Sequence, residues 1–139
     1  MRRAGRLVPL ALLLAVIAGC TYYPTVADVG GPRLEPKNGR LVRTTAGAVC
    51  YFDLESTGKY GDTLLAAESQ FARRVQIEAA SGAPLGVIDI PGDSRIDFRP
   101  DGPRITLSEL TEPLVPGEGV IVTLIFVKSG RIGVVSKVE

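Results

Sequence analysis

The chain has 139 residues, with 16 Lys+Arg against 15 Asp+Glu and no histidine. That length supports a single domain, and the near-neutral balance excludes a nucleic-acid binder or a polybasic membrane patch. Without a histidine base, and without a Gly-x-Ser-x-Gly motif, nothing in the chain argues for an enzyme.

In chain order, the first feature is a processing segment. Arg2, Arg3 and Arg6 form a positive stretch, and Leu7 to Ile17 is apolar apart from Pro9. This run is shorter than the roughly 20 residues that span a bilayer. Ile17-Ala18-Gly19-Cys20 follows. Small residues let a signal peptidase close on the backbone, and the Cys20 thiol is the nucleophile that accepts a diacylglyceryl group. The pattern resembles the lipobox of bacterial lipoproteins. Residues 1–19 are therefore predicted to be a cleaved signal peptide, with lipidation on Cys20. Ala4-Gly5-Arg6 does not supply the apolar residues that the twin-arginine route wants after its arginine pair, so the general secretion route is expected.

Removing residues 1–19 takes away three arginines and no acid. The mature chain has 13 basic and 15 acidic residues, a formal charge of −2. Membrane attachment must then come from the lipid. Palmitate-like chains contribute about 0.8 kcal/mol per buried methylene, and two or more hold stably. The expected location is the extracytoplasmic face of the cell membrane. With Cys20 lipidated, Cys50 has no partner for a disulfide.

Residues 20–33 read as a tether, with Tyr22-Tyr23-Pro24 and Gly30-Gly31-Pro32 and no sustained period. Residues 34–139 read as all-β, an antiparallel β-sandwich. Turn signals recur at Asn38-Gly39, 58–62, Ser81-Gly82, 91–93, 100–103, 116–119 and Ser129-Gly130. Asn38-Gly39 suits a two-residue hairpin. Ala48, Cys50, Phe52 and Leu54 alternate with Asp53 and Glu55; Val75 and Ile77 alternate with Gln76 and Glu78. Ile96 and Phe98 alternate with charges, and Ile132, Val134 and Val138 share a face with Ser136. Val120 to Val127 is apolar on both faces and is predicted to be a central strand covered on both sides. Leu64 to Glu68 is ambiguous between a strand and a helix start. Many short strands with regular turns favour two packed antiparallel sheets.

Three other groups need weighing. Cys50, in an apolar alternating strand, reads as an inert core cysteine, since a lone thiolate makes no closed metal site. Asp89, Asp93, Asp97 and Asp101 recur every four residues, but Pro91 and Pro100 forbid a helix, and turn aspartates are expected rather than a calcium loop. Glu55, Glu68 and Glu78 show no spacing that picks out a catalytic pair.

Several segments, in order, resemble the PCu(A)C periplasmic copper chaperones. These are 46–58 (Ala-Gly-Ala-Val-Cys-Tyr-Phe-Asp-Leu-Glu-Ser-Thr-Gly), 62–69 (Asp-Thr-Leu-Leu-Ala-Ala-Glu-Ser), 74–78 (Arg-Val-Gln-Ile-Glu), 98–102, 110–117 (Leu-Thr-Glu-Pro-Leu-Val-Pro-Gly) and 122–126 with Gly130. The resemblance covers roughly residues 40–139 and implies a cupredoxin-like, immunoglobulin-like β-sandwich. That family binds copper(I) through histidine and methionine, soft ligands for a soft ion. This chain departs from it. It has no histidine, and its one methionine is Met1. Glu78 stands where the family's first ligand strand ends in histidine, and Arg104 and Thr106 fall at its later His-x-Met. A guanidinium near the site would repel a metal ion; if Arg104 faces Glu78, an ion pair replaces the metal, and otherwise Arg104 is a solvated residue beside a turn. The expectation is a domain that has lost copper, needs no cofactor, and serves an interaction or structural role with an envelope protein. The alternative is a metal-trafficking protein that uses non-standard ligands or a metal-handling partner.

Overall fold

The computed structural model describes residues 31–139. The signal segment, Cys20 and most of the 20–33 connection lie outside them. Nine strands occur among the described residues, with no helix: β1 (Leu34–Arg43), β2 (Gly47–Ser56), β3 (Asp62–Glu68), β4 (Ala72–Glu78), β5 (Ile88–Ile90), β6 (Ser94–Phe98), β7 (Arg104–Leu110), β8 (Gly119–Phe126) and β9 (Gly130–Val138). The expected β-sandwich is built as one continuous hydrogen-bonded path, β4-β7-β2-β1-β9-β8-β3-β5. β7 pairs with the first half of β2 and β6 with its second half. Pairing is antiparallel throughout except where β1 meets β9, in parallel, at Arg40–Lys137 and Leu41–Val138.

The path folds over on itself at β1. In a flat sheet the strands on either side of β1 would stand about 9.5 Å apart. Yet the short side chains of Cys50 on β2 and Ser136 on β9 meet at 3.2 Å. The layers on either side of β1 therefore face each other across a core that includes Leu41, Phe52, Leu54, Leu64, Phe98, Ile105, Leu107, Val122 and Leu124, all essentially without exposure. Phe52 and Phe98 stack with centroids 4.3 Å apart. The alternating residues read from the sequence fill this core: Ala48, Cys50, Phe52 and Leu54 from β2, Ile77 from β4, Phe98 from β6, and Val134, Ser136 and Val138 from β9.

Three local expectations are corrected and one left open is settled. Asn38-Gly39 is not a hairpin but a bulge inside β1, where the register to β2 shifts between Lys37 and Arg40. Asn38 takes φ 56° there, and a Cβ on Gly39 would lie 2.4 Å from the Val135 carbonyl oxygen. The same two residue types that close a hairpin also relieve a bulge. Leu64 to Glu68 is strand, not helix. The register to β8 shifts between Leu64 and Ala66, so Leu64 and Ala67 point inward while Leu65 and Ala66 are exposed. β8 is central, flanked by β3 and β9, but is covered on one face only. Ile121 is 56% exposed and Val135 beside it on β9 is 69% exposed. β-branched residues suit a strand on either face, which hid the alternation. Finally, Asp93 and Asp101 lie in turns, but Asp89 is on β5 and Asp97 on β6.

Asp62, at the start of β3, ties the β8–β9 turn to this frame. Its carboxylate accepts hydrogen bonds from the backbone N–H of Thr63 (2.7 Å), Lys128 (2.9 Å) and Ser129 (2.7 Å) and from Ser129 Oγ (2.6 Å). Burial pushes this carboxyl up, but the Ser129 hydroxyl and the three backbone donors outweigh it and hold it below the ordinary aspartate value. A depressed carboxylate contributes stability above its unfolded value of about 3.9, and that contribution is lost as pH falls through the lower folded value. Asp62→Asn is expected to cost about 1–3 kcal/mol at neutral pH, because an amide NH2 then faces N–H donors. Its stability should also fall less steeply than the parent's as the pH drops below about 4, in urea unfolding at several pH values.

Candidate functional site

β4 and β7 bring together the three positions singled out by the resemblance. Their register pairs Glu78 with Arg104 and Gln76 with Thr106. Ile77, Ile105 and Leu107 point into the core. By alternation Glu78, Arg104 and Thr106 share the opposite face of this edge. Arg104 Nε stands 3.5 Å from Glu78 Oε2, and both side chains are largely covered, at 25% and 16% exposure. The turn after β4, closed by Ala79 N–H to Ala83 O and Gly82 N–H to Ala79 O (both 2.9 Å), folds back toward them. A Cβ on Gly82, at φ 86°, would lie 3.5 Å from Arg104 Nη2. Arg104 Nε and Thr106 Oγ1 are shielded from solvent without an aligned hydrogen bond. The pair is thus an ion contact under a turn.

The one soft donor among the described residues is elsewhere. Cys50 points into the core, where its Sγ lies 3.2 Å from Ser136 Oγ. Burial pushes its thiol up to about 11, against a smaller opposite pull from the Ser136 hydroxyl. It is on the inner face of β2, whereas Glu78 and Arg104 are on the outer face of the neighbouring strands. Among the described residues no three His, Cys, Asp or Glu side chains are grouped to hold a metal ion.

A second charged constellation escaped the sequence reading. Asp53 on β2 lies directly opposite Asp97 on β6, an arrangement that is destabilising when unrelieved. Arg95 spans both, with Nη2 3.0 Å from Asp53 and Nε 2.7 Å from Asp97. Arg99 does the same at 3.2 and 3.7 Å. Asn38, held in its bulge, donates to Asp53 Oδ2 at 3.0 Å. The Asn38 amide, opposed by burial and reinforced by Asp97 and the two guanidiniums, holds the Asp53 carboxyl below the ordinary range. Alternation had shown only that Asp53 faces away from the core. Its arginines lie on β6 and just after it, more than forty residues further on. Through Arg95 Nη1, 3.9 Å from Glu55, the set continues to the Glu55–Lys37 pair, and it joins β1, β2 and β6 on the outer surface.

A groove of about 430 Å³ runs past Glu68, Phe71, Ile121 and Arg131, with Arg131 paired to Glu68.

The family model of LpqE-like lipoproteins matches residues 31–138. No curated protein sequence matches the chain. In shape the domain is similar to the copper-bound PCuAC domain from PmoF2, with TM-score 0.69 and 24% identity over 80% of this chain and 95% of that one. The apo PCuAC domain from PmoF1 gives TM-score 0.71 and 22% identity over 79% and 95%. The solution structure of CuI-DR1885 from Deinococcus radiodurans gives 0.64 and 18% over 82% and 83%. At these identities the likeness is one of fold: the domain shares the β-fold of the PCuAC domains.

The burial of Cys50 has a direct chemical consequence. At a pH of about 8, where an ordinary thiol near pKa 8.5 is partly ionised, it should resist iodoacetamide in the native protein and react only after denaturation. Mass spectrometry of the peptide that carries Cys50 reads this out, and native alkylation would contradict the burial.

Proposed function

The chain belongs to the LpqE-like lipoprotein family, and from that premise we propose that it is anchored by lipid on Cys20 at the extracytoplasmic face of the cell membrane. There its copper-chaperone-like domain no longer carries copper(I) itself and acts as an interaction module of the envelope. The observation that carries this reading is the Glu78–Arg104 contact over Thr106. It stands where the PCu(A)C resemblance puts histidine and methionine ligands. A hard carboxylate already engaged with a permanent cation is a poor donor for a soft monovalent ion. Cys50, the soft donor that remains, is sealed on the other face. The residues present do not fit copper(I).

Attachment follows from the Arg2, Arg3 and Arg6 stretch, the short apolar run and the Ile17-Ala18-Gly19-Cys20 sequence. The partner is then another envelope protein, met at the membrane surface.

A copper(I) titration of the full chain against a competing chelator, under reducing conditions, tests the loss of copper binding. The parent protein is expected not to compete. Arg104→His combined with Thr106→Met is expected to gain at least about tenfold in affinity, or 1.4 kcal/mol. Tight stoichiometric binding by the parent would return the protein to the copper carriers. A double variant with no gain would place the lost site elsewhere.

A further inference from the structure

The loops at one end of the sandwich converge where the chain enters it. The Arg33 carbonyl accepts from Thr57 N–H at 3.0 Å, and a Cβ on Gly58 would lie 2.5 Å from the Gly31 carbonyl oxygen. Asp93 N–H donates to Gly58 O at 2.9 Å, and a Cβ on Gly92 would lie 2.3 Å from Lys59 O. The β8–β9 turn joins the same end through Asp62 and through Lys128 Nζ, 3.4 Å from Gly61 O. The loops 57–61, 91–93 and 127–129 thus form one rim around the point of entry.

This rim carries an amphipathic set. Tyr60 is 52% exposed and Val127 59% exposed. Lys59 and Lys128 flank them, both exposed, with the Lys59 ammonium 5.9 Å from the centre of the Tyr60 ring. Of the acids nearby, Asp62 is buried and spent on the turn, Asp89 accepts from Thr63 Oγ1 at 3.1 Å, and Asp93 is exposed. The local charge is therefore close to balanced, and the apolar and aromatic groups set the character of the rim.

Ten residues lie between Cys20 and Gly31, and eleven steps of at most about 3.6 Å keep the point of entry within about 40 Å of the lipidated residue. The opposite end, at Val115 and the carboxyl end of β9, is one sandwich length further away. A short tether raises the effective concentration of the rim at the bilayer. A tyrosine ring beside lysines is what a headgroup layer takes up, the ring settling at the interface and the ammonium groups reaching phosphates.

We infer that this rim, with Tyr60 and Val127 leading and Lys59 and Lys128 at their sides, rests on the lipid headgroups of the anchoring membrane and sets which way the domain faces. The inference rests on lipidation at Cys20. It leaves the far end of the sandwich pointing away from the bilayer, open to a protein partner.

The chain has no tryptophan, so one introduced indole is an unambiguous probe. The lipidated full chain carrying Tyr60→Trp, and a second carrying Val115→Trp, are reconstituted into vesicles of phosphatidylcholine and phosphatidylglycerol with brominated acyl chains. The Tyr60→Trp indole is expected to be quenched about twofold or more relative to soluble protein, with a blue-shifted emission, as an interfacial ring would be. The Val115→Trp indole should be unaffected. Equal quenching at both ends, or none at position 60 in a protein that floats with the vesicles, overturns the orientation and leaves the anchor standing. A full chain that floats no better than its Cys20→Ser variant overturns the anchor, and the inference with it.

Discussion

β1 gives hydrogen bonds to two layers at once, antiparallel to β2 along one edge and parallel to β9 along the other. For a ten-residue strand to serve both, its backbone must turn between them, and the bulge at Asn38-Gly39 supplies that turn. Gly39 is there because the Val135 carbonyl comes too close for any side chain. Asn38 is there because it tolerates a positive φ and its amide reaches Asp53. The core depends on this closure. Cys50 on β2 and Ser136 on β9 are neighbours only because the sheet bends at that strand.

The outer surface shows how the frame accommodates charge. Two aspartates face each other across β2 and β6, and two arginines on β6 and just after it bind both. On β4 and β7 a glutamate and an arginine face each other, held by a ladder that pairs them whatever their chemistry. A β-sandwich fixes which positions meet, and the residue types decide whether the meeting holds a metal, an ion pair or nothing. The proposed loss of copper is a change in residue type with the geometry retained.

Much of the fold was legible. Period-two runs placed the inward faces of β2, β4, β6 and β9 correctly, since one face of each had to be buried. The misreadings have a common cause. Asn38-Gly39 is locally the same signal for a hairpin and for a bulge. The bulge in β3 adds a residue and breaks the period at Leu65, so an alternating strand resembled the start of a helix. On β8, Ile121 and Ile125 satisfied backbone preference on an outer face and imitated burial. Of the candidate site, the absence of soft ligands could be read from composition. The Glu78–Arg104 ion pair could be raised from the resemblance, but showing that the two face each other needed the register between positions twenty-six residues apart, and the Asp53 cluster needed a pairing that no local pattern encodes.

The parallel contact between β1 and β9 also constrains how the protein is made. A secreted chain reaches the far side of the membrane amino end first. β1 and β2 can pair early, being adjacent in sequence, but the other edge of β1 stays bare until β9 has crossed, almost a hundred residues later. Contacts this distant in sequence are slow to form. An open strand edge is also a template for unwanted pairing. During that interval a chain still held near the bilayer by its amino end would be kept apart from its siblings. The proposed tether would then protect the unfinished domain as well as orient the finished one.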